Sequence, residues 1–123
     1  MSEKSDRALE LRAQGYNCAQ AVLCALTDEQ MACAASGFGG GVGNQQATCG
    51  AVIGAVMALG INTDARTTVP LARQIQEGFV SRCGALQCRA LKGGDTGKVL
   101  CACPDCVKNA VLAYEQVMEG IDK

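Results

Sequence analysis

The stretch Cys49–Gly60 reads CGAVIGAVMALG and consists of small or apolar residues throughout. It lacks the alternation of polar and β-branched residues that is typical of strands, and it predicts a helix from Cys49 to Leu59. Gly50 and Gly54 lie one turn apart on that helix. This stripe of small residues would allow a second helix to pack closely and would bring Cys49 near the facing helix.

The rest of the chain repeats the helical pattern with little strand signal, which predicts an all-α fold. Further helices are expected at about 5–14, from Cys18 to Leu26, from a capping box at Thr27–Gln30 to Ala35, at 69–82 and at 104–119. A glycine-rich loop spans Gly37–Gly43. We therefore expect a compact bundle of about five short helices, in one domain that spans residues 1–123.

Several single residues mark where these helices should begin and end. Asn17 and Thr48 are short polar residues of the kind that cap a helix N-terminus. Gly15 and Gly60 predict helix ends. Pro70 falls near the first turn of the helix expected at 69–82, where a proline is tolerated because its missing N–H would have no partner there.

Charge and hydropathy exclude two classes of partner. The chain has 11 basic and 12 acidic residues, and they are interspersed without a basic patch, so nucleic acid is not expected as a partner. The N-terminus lacks the apolar run of a signal peptide, and the longest weakly polar stretch, Cys49–Ile61, is too short to span a membrane. We expect a soluble cytoplasmic protein. An alanine-rich core leaves helix faces that could pair, which is compatible with a homodimer, and the sequence identifies no redox partner.

Cysteine is the unusual residue of this chain. There are nine: Cys18, Cys24, Cys33, Cys49, Cys83, Cys88, Cys101, Cys103 and Cys106. A disulfide framework is not expected in a reducing cytoplasm, and an odd count leaves one cysteine unpaired. Histidine is absent, which excludes a Cys-His catalytic pair and any zinc site with a histidine ligand. The cysteines therefore predict metal binding through sulfur or thiol redox chemistry.

The positions of three cysteines favour a functional role. Cys18, Cys49 and Cys103 each fall at a predicted helix N-terminus, where free N–H groups and the helix dipole favour a thiolate and should lower its pKa. Cys24 and Cys33 lie within helices beside alanines, and we expect them to act as small core residues.

Two further motifs leave alternatives open. Cys103-Pro-Asp-Cys106 is a C-x-x-C, a spacing that lets two sulfurs bind one metal or form a redox disulfide. The glycine-rich loop lacks the spacing of a nucleotide-binding motif. It either brings backbone close to a cofactor or a neighbouring helix, or it forms a mobile surface loop.

Five segments spread along nearly the whole chain carry a family resemblance: Cys49-Gly-Ala-Val-Ile-Gly54, Gly15-Tyr-Asn-Cys18-Ala-Gln-Ala-Val22, Gly37–Gly43, Cys88-Arg-Ala-Leu91 and Cys103-Pro-Asp-Cys-Val107. In these segments the chain resembles the C_GCAxxG_C_C family. The resemblance implies redox activity without a defined reaction, and four recurring cysteines at Cys18, Cys49, Cys88 and Cys103, with Cys106 as a substitute for the last. The family is similar in turn to the iron–sulfur domain of split-Soret cytochrome c, a helical domain.

The leading hypothesis is an electron-transfer protein whose four cysteines hold a [2Fe–2S] or [4Fe–4S] cluster. One alternative is a thiol–disulfide oxidoreductase that uses Cys103 with Cys106, or Cys49 with another cysteine. Another is a zinc or copper(I) module, since soft thiolates suit both metals. The cysteines outside the four-residue pattern leave room for a second site.

Overall fold

The structure of the chain, a computed structural model, describes residues 2–94 and 96–121. Seven α-helices lie in those ranges: α1 (Glu3–Ala13), α2 (Cys18–Leu26), α3 (Ala32–Ala35), α4 (Gly50–Asn62), α5 (Ala65–Cys83), α6 (Cys88–Leu91) and α7 (Cys103–Ile121). Short 3-10 turns occupy Glu29–Met31 and Ser36–Phe38, and a single π-type turn occupies Gly41–Gln45. The described residues form no strand, and the predicted all-α fold is confirmed.

The core lies between the five longer helices. α2, α4 and α7 pack against one another at the centre, α1 covers α2 and α7, and α5 covers α4 and α7. Alanine, valine and leucine fill most of this core, and Phe79 is the largest side chain that is fully buried. Within the described ranges, no helix combines the length and the apolar character needed to cross a membrane.

The small-residue stripe of α4 packs against α2, as expected. A Cβ atom at Gly54 would lie 2.5 Å from the backbone oxygen of Ala19 and 3.2 Å from the backbone nitrogen of Leu23. Real Cβ atoms do not approach backbone atoms to 2.5 Å, so glycine is required for this crossing. Close packing of the two helices fixes where their N-termini lie, and both begin with a cysteine of the predicted site.

The helix starts follow side-chain caps where the sequence supplies one. The Asn17 side chain accepts from the N–H of Gln20 at 2.9 Å, and the Gln20 side chain accepts from the N–H of Asn17 at 3.0 Å. This reciprocal capping box begins α2 at Cys18, so the predicted role of Asn17 is confirmed. Gly15, with φ +111°, follows the end of α1 at Ala13, which is also as predicted.

Other boundary predictions were wrong. Cys49 itself is the N-cap of α4, because Thr48 forms an isolated antiparallel bridge with Gln87 instead of capping. α4 passes through Gly60 and ends at Asn62, since the conformation of that glycine is ordinary for a helix and does not break it.

The region around α5 and α3 also differs from prediction. Asp64 caps α5 by accepting from the N–H of Arg66, so the helix begins at Ala65 and Pro70 lies beyond its first turn. Thr27 does not open a helix, because its hydroxyl donates to the backbone oxygen of Leu23 at the end of α2.

Candidate metal centre

The four cysteines implied by the family resemblance all lie where a helix begins. Cys18, Cys88 and Cys103 are the first residues of α2, α6 and α7, and Cys49 is the N-cap of α4. The predicted positions of Cys18, Cys49 and Cys103 at helix N-termini are thus confirmed. Cys18, Cys49 and Cys88 are buried, whereas Cys103 is half-buried.

The crossing of α2 and α4 brings Cys18 and Cys49 together. A Cβ atom at Gly50 would lie 2.7 Å from the Sγ of Cys18 and 2.5 Å from the backbone oxygen of Phe38. The missing side chain at Gly50 therefore leaves room for the Cys18 sulfur beside the start of α4. The two thiols interact, since hydrogen bonding to Cys18 lowers the pKa of Cys49.

Backbone hydrogen bonds join the segment that leads into Cys49 to the segment that leads into Cys88. The N–H of Cys49 donates to the oxygen of Leu86 at 2.7 Å, and the N–H of Cys88 donates to the oxygen of Ala47 at 3.0 Å. Together with the bridge described above, these bonds tie the segment before α4 to the segment before α6. α4 and α6, which are distant in sequence, therefore begin side by side.

The glycine-rich loop packs against this pair of segments. Gly40 and Gly41 have φ values of +62° and +59°, which favour glycine. A Cβ atom at Gly41 would lie 2.7 Å from the Cβ of Cys88. The predicted close approach of loop backbone to a neighbouring helix is confirmed at the start of α6.

Cys103 interacts with Cys18 and with Arg12. The Cys18 thiol contributes to the raised pKa of Cys103, and the Nε of Arg12 donates to the Sγ of Cys103 at 3.4 Å. The two sulfurs border a cavity of about 320 Å³, whose lining is Arg12, Gly15, Tyr16, Asn17, Cys18, Gly40 and Cys103. The group therefore reaches the surface at Cys103.

The pKa values of these thiols correct one prediction from the sequence. Hydrogen bonding to Cys106 raises the pKa of Cys49 to about 12, although the N–H of Ala51 at the start of α4 opposes the rise. Hydrogen bonding to Cys18 raises the pKa of Cys103, and burial raises the pKa of Cys88. The expectation that helix N-termini lower these pKa values was wrong for Cys49 and Cys103, because neighbouring thiols and burial outweigh the helix ends.

A second thiol group lies beside the first. The sulfur atoms of Cys83, Cys101 and Cys106 are all within 4.8 Å of one another, and all three residues are buried. Their spacing and chemistry would allow them to hold a metal ion. Cys106 also interacts with Cys49, whose pKa it raises, so the two groups adjoin each other.

The C-x-x-C motif is therefore divided between the two groups. Cys103 contacts Cys18 and Arg12, whereas Cys106 contacts Cys49, Cys83 and Cys101. The sequence left open whether both sulfurs bind one metal or form a disulfide together. Their described partners place them instead in different neighbourhoods.

Two cations lie next to the thiols. The Nζ of Lys92 donates to the Sγ of Cys106 at 3.6 Å, and Arg12 contacts Cys103 as described. Burial opposes the charge of Lys92, but Cys106, Cys103 and Cys49 together raise its pKa. A set of thiolates would be compensated by these two positive charges.

The sequence missed several of these residues. Lys92 is four residues after Cys88, a helical spacing that could have been noticed, but nothing in the sequence pairs Arg12 with Cys103. Cys83 and Cys101 are 18 residues apart and meet only through packing. Cys24 is buried as expected, while Cys33 is exposed, so the prediction of a core role for Cys33 was wrong.

Comparison with known proteins gives one match. Residues 16–117 match the family model described as "Putative redox-active protein (C_GCAxxG_C_C)". No curated protein and no solved structure matches the chain. The matched range contains all nine cysteines.

Proposed function

Because this chain belongs to the C_GCAxxG_C_C family, we propose that it is an electron-transfer protein that holds an iron–sulfur cluster through Cys18, Cys49, Cys88 and Cys103. The observation that supports the proposal is that all four residues lie at helix starts and that the thiol of Cys18 interacts with those of Cys49 and Cys103. They come from the starts of α2, α4, α6 and α7. Close glycine contacts bring α4 to Cys18 and the glycine-rich loop to Cys88, and backbone hydrogen bonds join the segments before α4 and α6. Glycines at these contacts lack the side chains that would otherwise help to stabilise a small core. Their presence therefore favours a functional reason for the close packing.

The chemistry of the donor set fits such a cluster. Iron–sulfur clusters are bound by cysteine thiolates, and four thiolates are enough for a [2Fe–2S] or a [4Fe–4S] type. The chain has no histidine that could replace one of them. A bound cluster would supply a centre that gains and loses one electron at a time.

The residues around the four cysteines have separate roles in this proposal. Arg12 and Lys92 offset the negative charge of the thiolates. Gly41 and Gly50 leave space beside Cys88 and Cys18. The half-buried Cys103 would be the point at which an electron passes to or from a partner protein, because the cavity beside it opens to solvent.

The protonation of these thiols argues against thiol catalysis. A reactive thiol needs a lowered pKa, since the thiolate is the nucleophile. The raised pKa values of Cys49, Cys88, Cys103 and Cys106 keep these thiols protonated and unreactive at neutral pH until a metal displaces the protons. We also propose a cytoplasmic location, because thiols remain reduced in that compartment.

The test is an absorption spectrum of protein purified without oxygen, with iron and acid-labile sulfide measured on the same sample. Broad absorption in the visible range and equal amounts of iron and sulfide are expected, and their amount per chain separates the two cluster types. Cys18→Ser, Cys49→Ser, Cys88→Ser and Cys103→Ser should each lower the iron content. Cys33→Ser is the matched control, because Cys33 is exposed on α3. A protein that stays colourless and free of iron after anaerobic reconstitution would contradict the proposal.

A further inference from the structure

We propose that Cys83, Cys101 and Cys106 form a second, separate metal site, which binds one soft monovalent ion, Cu(I), through three thiolates. The site lies outside the four-cysteine pattern, and its limit to three ligands rests on the proposed function, which assigns Cys49 to the first site. Its three residues come from the end of α5, the segment before α7 and the first turn of α7.

The spacing of the sulfur atoms suits a single ion. The Sγ of Cys101 is 3.1 Å from the Sγ of Cys83, and all three sulfurs lie within 4.8 Å of one another. Sulfurs that are each about 2.3 Å from one metal lie about 4 Å apart, so only small side-chain movements are needed. Binding would release the protons of the three thiols to solvent.

Hydrogen bonds from neighbouring residues hold the three cysteines in place. The Nδ2 of Asn109 donates to the Sγ of Cys83 at 3.4 Å, and the N–H of Cys101 donates to the oxygen of Leu91 at 3.2 Å. The Nζ of Lys92 contacts both the backbone oxygen of Cys101, at 3.4 Å, and the Sγ of Cys106. Donors that surround metal ligands in this way orient the ligands and stabilise their charge.

The number and type of ligands favour Cu(I) over zinc. Thiolates are soft ligands that bind Cu(I) and zinc, but structural zinc sites take four ligands. The thiol next to this group is that of Cys49, which also interacts with Cys18 and is assigned to the first site. Three thiolates satisfy Cu(I) without that residue. A site of three thiolates and one monovalent ion keeps a net negative charge, and Lys92 would offset part of that charge.

This assignment also divides the C-x-x-C motif in a definite way. Cys106 belongs to the second site with Cys83 and Cys101, and Cys103 remains with Cys18 in the first. The cysteines of the chain then form a group of four, a group of three and two others, Cys24 and Cys33.

The experiment uses the full chain, reduced, metal-free and without oxygen. Cu(I) is added to one equivalent in competition with a chromophoric Cu(I) chelator. The cysteines that remain open to alkylation are then mapped by mass spectrometry. We expect one tightly bound Cu(I) and protection of Cys83, Cys101 and Cys106. Protection of Cys18, Cys88 and Cys103 instead, or of Cys49 together with the three, would overturn the assignment.

Variants provide an independent measurement. The double variant Cys83→Ala/Cys101→Ala should bind Cu(I) at least about 100-fold more weakly, since losing even the groups that support ligands costs up to about 100-fold. Cys24→Ala is the matched control, a buried cysteine on α2 that should leave Cu(I) affinity unchanged. Cys18→Ser/Cys88→Ser should also keep the tight binding.

The two proposals fail separately in this design. Iron and sulfide content should be the same in Cys83→Ala/Cys101→Ala as in the unchanged chain. An absent iron–sulfur cluster would leave the Cu(I) result standing. Equal Cu(I) affinity in the double variant and the unchanged chain would overturn the second site alone. The mapping on the unchanged chain decides the question even where the double variant does not fold.

Discussion

Gly50 lies so close to Cys18 that a Cβ atom there would be 2.7 Å from the cysteine sulfur. The same atom would be 2.5 Å from the backbone oxygen of Phe38, which cannot move away as a flexible side chain could. The glycine of the CGAVIG signature therefore has a physical role in this chain: it makes room for the sulfur of the neighbouring helix.

Gly50→Ala should consequently destabilise the protein and lower its metal content. Forcing a methyl group into this contact should cost about 1–3 kcal/mol of unfolding free energy, as other overpacked cores do. Gly60→Ala is the control on the same helix, where the nearest atom is the Cγ2 of Thr68 at 4.0 Å. That change should be neutral or stabilise by up to about 1 kcal/mol, because alanine favours helix. Urea unfolding and iron analysis of both variants test this, and equal behaviour of the two would contradict it.

The metal-free protein should lose stability at alkaline pH. The pKa of Cys49 is about 12 in the fold against an ordinary value of 9.0, so between these values the folded state keeps a proton that the unfolded state has lost. Stability contributed by Cys49 is therefore complete below pH 9.0 and falls as the pH rises towards 12. Cys88, Cys101, Cys103 and Cys106 add to the effect in the same direction.

Urea unfolding of reduced, metal-free protein at about pH 8 and about pH 10.5 measures this loss. The metal-loaded protein is the comparison, because its ligands are already thiolates and its affinity for metal should rise with pH. A metal-free protein whose unfolding midpoint stays constant or rises over this range would show that the thiols do not retain their protons in the fold.

Some helix boundaries follow from local sequence, whereas others depend on contacts that are distant in sequence. The capping box at Asn17 and the glycine stop at Gly15 depend on three or four neighbouring residues, so both could be predicted. Thr48 also looks like a cap in isolation. It pairs with Gln87 instead, 39 residues later, and no local pattern contains that information.

The thiol contacts also divide into features that local sequence predicts and features that depend on packing. Cys18, Cys49 and Cys103 were recognised at helix starts because an apparent cap or a proline marks each position, although Thr48 does not cap α4. Which sulfur faces which depends on how α2, α4 and α7 cross, and Cys83 meets Cys101 only because α5 ends against α7. The pKa prediction failed for the same reason: the helix end is a local effect, whereas burial and neighbouring thiols arise from packing.

Lys92→Gln should shift the reduction potential of the proposed cluster to a lower value. Removing a half-buried positive charge beside Cys106, Cys103 and Cys49 favours the oxidised, less negative state of the centre. The shift should be tens of millivolts, because a unit charge several ångströms away contributes on the order of 1 kcal/mol. Lys98→Gln is the control, since Lys98 is exposed in the segment before Cys101. Redox titration followed by absorbance measures the potential of both variants. Equal potentials would show that Lys92 does not influence the cluster.

Cys103→Ser and Cys106→Ser form the sharpest pair, because the two residues lie one turn apart on α7 and yet contact different thiols. Cys103→Ser should lose iron and sulfide and keep tight Cu(I) binding, since it removes a partner of Cys18 only. Cys106→Ser should show the reverse pattern, with the cluster retained and Cu(I) affinity lowered. Both changes replace sulfur by oxygen at the start of the same helix, so general effects on α7 cancel in the comparison. Loss of iron in Cys106→Ser with a normal cluster in Cys103→Ser would instead make Cys106 the fourth cluster ligand, and it would leave Cys83 and Cys101 as a pair with no third sulfur for Cu(I).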